Sequence, residues 1–171
     1  MIRTGEFPKK LFNLSDYFGR DFNRNLTPHE RGALTPSQGE FVKAVNNLDF
    51  SYAEERIPPE DQRIIGEAHS IVKRELSELA GLIPEMEEGG FQISVFAEKC
   101  DPGGLGCIPS VSVVLKRNGR FDTVYERTFG PRDLAGIIKD QWSKDRFLLA
   151  IRKAKAKIEK EEKGETKKST N

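Results

Sequence analysis

The amino-acid sequence predicts an α+β fold: N-terminal helices, then a three-stranded antiparallel meander, then a C-terminal helix pair. Apolar residues recur at helical spacing before residue 81, alternate with polar residues over 91–129, and return to helical spacing after residue 130. Of the 171 residues, 36% are hydrophobic and 32% are charged, which suits a folded chain with a core rather than a disordered one. We therefore expect a single domain over 27–162, an aromatic-rich arm over 1–26 and a polar flexible tail over 163–171.

Two segments near the N-terminus carry the same helix-start signal. The tetrapeptides TPHE and TPSQ begin at Thr27 and Thr35, and each places proline after the threonine and Glu or Gln three residues on. The threonine side chain then accepts from the third amide of the helix, while the third side chain bonds back to the threonine amide. Gly32 limits the first helix to about one turn. A longer helix is predicted from the PPEDQ segment to Gly81, followed by an acidic loop, PEMEEGG.

Three segments alternate as strands do: FQISVFAEK, SVSVVLK and RFDTVYERTF. The last two meet at Asn118-Gly119, a strong hairpin signal that permits two registers. A two-residue turn sets Leu115 opposite Asp122, whereas a three-residue loop from Arg117 sets Leu115 opposite Phe121. The second register matches apolar residues on one face, and a one-residue slip would turn that face outward. We therefore predict the three-residue loop.

The C-terminal region predicts two helices rather than one. Leu134, Ile138 and Trp142 share one helical face, while Phe147 and the apolar residues after it share a face rotated by well over about 100°. We predict a short helix to about residue 142, a cap at residue 143 and a second helix to about residue 162.

The charge is unevenly divided along the chain. Residues 1–115 carry 12 basic and 18 acidic residues, and residues 116–171 carry 16 and 9, although the net charge is only +1. On the last helix, Arg146, Lys153, Lys157 and Lys160 line up on one side. Such a stripe can follow nucleic-acid phosphates. The alternative is a solvated helix face, or one that docks on the acidic part of the same chain.

The N-terminal arm supplies a second candidate surface. It is unusually rich in large apolar and aromatic residues for a free tail, and these include Phe7, Leu11, Phe12, Leu14, Tyr17, Phe18 and Phe22. Phe7, Phe12, Tyr17 and Phe18 are the candidate partner-binding residues. They favour a different function, that of a protein–protein adaptor, inhibitor or assembly subunit without nucleic-acid contact.

The segment EKCDPGGLGCIP holds both cysteines, Cys100 and Cys107. A zinc site would need two further ligands, and His29 and His69 stand at no familiar spacing from the pair. A disulfide across the loop and plain reduced thiols remain open. The three glycines could form an anion-binding nest, but two successive turns explain them more simply.

No local motif indicates catalysis. The sequence contains no G-x-S-x-G, H-E-x-x-H or G-K-[ST] segment. We predict no catalytic residue, no cofactor, no metal and no membrane association, and the scarcity of cysteine with no apparent leader suggests a reducing cytoplasm. The expected function is a non-catalytic accessory protein that associates with nucleic acid, or with a nucleoprotein complex, through its basic C-terminal helix. An enzyme with a dispersed site is a third possibility, after the adaptor.

Overall fold

A computed structural model describes residues 34–48, 59, 62–98, 109–130 and 132–169, apart from the side chain of Ser169. The predicted arm, the helix start at Thr27 and the cysteine loop lie outside these residues. In chain order the described elements are α1 (Pro36–Asn46), α2 (Gln62–Ala80), α3 (Ile83–Glu87), β1 (Gln92–Glu98), β2 (Ser110–Arg117), β3 (Arg120–Thr128), α4 (Leu134–Lys139) and α5 (Lys144–Ser169). The α+β fold class is confirmed.

Helix α1 begins as the sequence predicts. Thr35 Oγ1 accepts from the Gln38 amide at 3.2 Å, and Gln38 Oε1 accepts from the Thr35 amide at 3.0 Å. Pro36 occupies the first helical position, where no intrahelical donor is needed. The capping box therefore satisfies two backbone donors that the helix itself leaves unpaired.

The segment predicted as an acidic loop contains a short helix, so that prediction is wrong. Helix α3 begins one residue before Pro84, whose fixed φ suits a first turn. Ile83 and Met86 are buried against the core, at 7% and 0% exposure. Burial of these two side chains stabilises a helical turn. The sequence pattern does not predict this turn, because glutamates and glycines surround the two apolar residues.

The sheet is a meander in the order β1-β2-β3, with both pairs antiparallel. Its hairpin turn has only two residues, because Asn118 (φ 51°) and Gly119 (φ 77°) both adopt the left-handed conformation of a type I′ turn. Leu115 consequently pairs with Asp122. The predicted three-residue loop is wrong.

A β-bulge explains how the tight turn still buries the right residues. Val114 pairs with Thr123 and Val113 pairs with Tyr125, so Val124 is the extra residue on β3. Val124 and Tyr125 are both buried, at 2% and 1% exposure. The bulge therefore allows Val124 and Tyr125 to be buried in the core, although the tight turn places Asp122 opposite Leu115.

The two C-terminal helices follow in the predicted order. Ser143 caps α5, and its Oγ accepts from the Arg146 amide at 3.4 Å. The helix continues to Ser169, seven residues beyond the predicted end at Glu162. Residues 163–169 of the predicted polar flexible tail are therefore helical, and Glu165 within them contacts Arg120 of the hairpin, which the sequence does not reveal.

The core lies between one face of the sheet and the helices. We call this face the inner face; β1 contributes Val95, and β2 contributes Val111, Val113 and Leu115. The helices pack their apolar sides on it, and their fully buried side chains include Phe41, Leu76, Leu79, Leu134, Phe147 and Ile158.

Candidate nucleic-acid interface

Helix α5 carries the predicted basic stripe, and its position is fixed by an apolar side. Phe147, Ile151, Ala154 and Ile158 are at most 3% exposed and belong to the core. Their spacing of three or four residues places them on one side of the helix. The opposite side of α5 consequently faces solvent along its length.

The acidic residues near the end of α5 are bound to the β-hairpin. The Glu162 carboxylate accepts from Arg117 Nε at 3.0 Å and Nη2 at 2.6 Å, and from Asn118 Nδ2 at 3.0 Å. One turn on, Glu165 pairs with Arg120. The hydrogen bonds from Arg117 hold the pKa of Glu162 below its usual range, so this carboxylate is negative at neutral pH.

Two of the four stripe residues are also paired within the molecule. Arg146 Nη1 lies 2.7 Å from Asp140 Oδ1, and its guanidinium carbon lies 4.8 Å from the centre of the Trp142 ring. Lys157 Nζ donates to Asp122 Oδ1 at 2.9 Å, which raises the pKa of Lys157. The four stripe residues therefore lie on one side of the helix, but Arg146 and Lys157 already bind acidic residues of the same chain.

The other two stripe residues, Lys153 and Lys160, are exposed. Neither makes an ion pair with any other residue that the structure describes. At 3.6 residues per turn, they share an arc of about 100° with three further exposed cations, Arg152, Lys163 and, near the end of the helix, Lys167. This arc is opposite the buried side, and we call four of its cations (Arg152, Lys153, Lys160 and Lys163) the outer basic face.

The outer basic face spans about 16 Å along the axis of α5, from Arg152 to Lys163. Asp145, in the first turn of α5, is the one acidic residue in the same arc. Glu159 lies just outside the arc, and its Oε1 is 3.9 Å from Arg117 Nη2. Glu159, Glu162 and Glu165 thus face the hairpin arginines, whereas Lys153, Lys160 and Lys163 face solvent.

Arg152 and Lys163 are not among the stripe residues predicted from the sequence, and the helix was predicted to end before Lys163. Lys155, another cation of α5, lies outside the arc of the outer basic face. Lys155 Nζ instead donates to the Glu88 carbonyl at 2.8 Å and to the Glu85 carbonyl, and it lies 5.0 Å from the centre of the Phe91 ring. Partial burial there lowers the pKa of Lys155.

A buried carboxylate fixes the start of α5. Glu75, on α2, is fully buried and accepts from Tyr125 Oη at 2.5 Å, Arg127 Nη2 at 2.8 Å and the Trp142 amide at 2.8 Å. Trp142 in turn stacks on Phe147, with ring centres 5.2 Å apart. Burial and the nearby charge of Glu75 raise the pKa of Tyr125 well above its usual value, so its hydroxyl remains a donor.

The remaining predicted site residues are not brought into this surface by the described structure. Phe7, Phe12, Tyr17, Phe18, Cys100 and Cys107 lie outside the described residues. Within the described ranges, no three histidine, cysteine, aspartate or glutamate side chains come close enough together to hold a metal ion. None of the helices in those ranges combines the length and apolar composition of a transmembrane span.

Comparison of the chain with protein-family models, with curated proteins and with solved structures found no match in any of the three. The function is therefore inferred from the geometry of α5 and of the sheet.

Proposed function

We propose that the protein is a non-catalytic nucleic-acid-binding protein and that the outer basic face of α5 contacts the phosphates. The observation that carries this proposal is the separation of charge on the helix. Glu162 and Glu165 are bound to Arg117 and Arg120, so they do not neutralise the lysines on the far side.

Cations arranged along one exposed helix face suit a polyanion. A phosphate backbone releases condensed counterions wherever a lysine or arginine neutralises it, and this release favours binding at low salt. The four residues of the face extend over about 16 Å, which is long enough to meet several consecutive phosphates. Such contacts position the ligand and carry no base specificity, so we expect weak sequence preference.

The test compares two charge-reversal variants of the full chain. The first is K153E/K160E/K163E, which removes three cations of the outer basic face. The matched control is K43E/R63E/K139E, which changes the net charge equally at exposed positions on α1, α2 and α4. Fluorescence anisotropy is read with labelled RNA and DNA of about 20 nucleotides, longer than a typical single-domain site, and with the corresponding duplexes.

The first variant should bind at least about tenfold more weakly than the wild type at low salt, because each lost phosphate contact lowers the affinity. The control should remain within about threefold of the wild type, because general repulsion is screened over about one Debye length. Equal loss in both variants, or no binding by the wild type, would exclude the outer basic face as the interface.

A further inference from the structure

The sheet has a second face, which the described helices do not use for the core. We call it the outer face. The register assigns to it Gln92, Ser94, Phe96 and Glu98 of β1, Ser110, Ser112, Val114 and Lys116 of β2, and Phe121, Thr123, Glu126 and Thr128 of β3. None of these side chains belongs to the core cluster.

Two phenylalanines on this face are unusually exposed. Phe96 is 49% exposed and Phe121 is 66% exposed. They lie on the two edge strands, opposite Ser112 and Lys116 of β2, so they are four residues and two strands apart, which corresponds to about 16 Å across the sheet. Between them Val114 is only 8% exposed, although it does not belong to the core cluster.

A cation accompanies the rings. Lys116 pairs across the strands with Phe121, and its ammonium group lies 5.6 Å from the centre of the Phe96 ring. A half-exposed contact of this kind is worth about 0.5–1 kcal/mol, which is little enough for a ligand to displace it. The ammonium group can therefore turn from the ring to a phosphate without unfolding any element.

Helix α5 packs on the inner side of the sheet, and one of its cations reaches the edge strand β3. Lys157 binds Asp122, the residue that follows Phe121 and points to the inner face. Lys153 and Lys160 are one turn away from Lys157 on the same helix. The edge of β3 that pairs with no other described strand is therefore flanked by an exposed ring on the outer side and by basic residues on the inner side.

We propose that the outer face is a stacking platform for single-stranded nucleic acid, with bases on Phe121 and Phe96 and phosphates at Lys116 and along α5. This inference rests on the proposed function and narrows its ligand to single strands, whose unpaired bases are free to stack. Proteins commonly bind single strands in two ways at once: bases stack on aromatic side chains of a sheet, and basic residues bind the phosphates. Stacking of this kind accepts any base, because every base has a π-face.

A protein partner fits this face less well. Protein interfaces centre on a contiguous apolar patch that becomes fully buried. Here the two rings are separated by the short polar side chains of Ser94, Ser112 and Thr123, which leave room for flat bases. The acidic residues of the face, Glu98 and Glu126, lie away from the hairpin, so the phosphates should approach at the end that carries Lys116.

The test uses two matched pairs of substitutions in the full chain. F96L/F121L keeps apolar bulk and removes both π-faces, whereas F96Y/F121Y keeps both rings. Because the side chains are half or more exposed, both variants should retain the wild-type circular dichroism spectrum. The leucine variant should bind single-stranded DNA and RNA about 30-fold more weakly, the lower limit for two lost stacking contacts, and the tyrosine variant should bind as the wild type does.

A second readout locates the bases directly. Irradiation of the wild type with oligonucleotides containing 5-bromouracil should crosslink the tryptic peptide 121–127 and the peptide that holds Phe96. Duplex binding should be equal in the leucine and tyrosine variants, because paired bases cannot reach the rings.

The outcomes separate this inference from the proposed function. Wild-type affinity in F96L/F121L, or crosslinks confined to α5, would overturn the platform while leaving the basic face in place. Loss of a nuclease-resistant protein complex in F96L/F121L, with unchanged nucleic-acid binding, would assign the face to a protein and also overturn it. Failure of the wild type to bind any nucleic acid would remove both proposals.

Discussion

Replacement of Glu75 by glutamine should strongly destabilise the fold. The carboxylate is 0% exposed and pairs with Arg127, whose side chain is 10% exposed. It also accepts from Tyr125 Oη and from the Trp142 amide. In E75Q one oxygen becomes an amide that points at the Arg127 donors, so the guanidinium remains buried and loses its counter-charge.

Breaking a buried pair by removing one partner costs about 3–5 kcal/mol. Glutamine keeps one acceptor oxygen, so we expect the lower end, about 3 kcal/mol of unfolding free energy. For a chain of this size that corresponds to a fall in the melting temperature of about 6–12 °C. The exposed neighbour Glu78 on the same helix provides the matched control, and E78Q should lie within about 0.5 kcal/mol of the wild type.

Urea denaturation followed by the fluorescence of Trp142, the single tryptophan, measures this directly. A loss of less than about 1 kcal/mol in E75Q, similar to that in E78Q, would refute the view that this carboxylate fixes α2, β3 and the start of α5 together.

Three smaller effects should follow from the local geometry. Gly119→Ala should cost about 1 kcal/mol in urea denaturation, because the φ of 77° strains alanine although a Cβ meets nothing within 4 Å; no loss would exclude the type I′ turn. Thr35→Ala should lower the melting temperature by removing a cap worth about 1 kcal/mol, and an unchanged value would mean that α1 does not depend on this box. Burial, helped by the charge of Lys73, lowers the pKa of His69, so the folded state binds this proton less readily than the unfolded chain. The part of the unfolding free energy that depends on neutral His69 should be fully present above about pH 6.5 and be lost as the pH falls through the folded pKa. If a His69→Gln variant loses as much unfolding free energy as the wild type over the same fall in pH, His69 is not the cause.

Local signals predicted the elements of the fold well. The capping box at Thr35, the apolar periodicity of α2 and the alternation of the strands depend on neighbouring residues, and all three match the structure. The change of helical face after Trp142 likewise predicted that two helices end the described chain.

The missed features depend on contacts between distant residues. The register was wrong because it assumed regular strands, and the bulge at Val124 makes a two-residue turn compatible with an apolar inner face. The end of α5 was placed too early because Glu162 and Glu165 meet Arg117 and Arg120 only in the folded molecule.

The candidate site was predicted in part for the same reason. Sequence spacing places Arg146, Lys153, Lys157 and Lys160 on one helix side. It does not show that Asp140 and Asp122 bind two of them. Only the folded arrangement distinguishes structural cations from those that remain available on the outer basic face.

The dependence of binding on salt tests the central claim most directly. For single strands the slope of log Kobs against log salt is about −0.7 for each neutralised phosphate. If the outer basic face contacts phosphates, K153A/K160A/K163A should reduce the steepness of the wild-type slope by about 2, whereas K43A/R63A/K139A should leave it unchanged. Identical slopes in the wild type and in K153A/K160A/K163A would show that these lysines do not contact the ligand and would contradict the account.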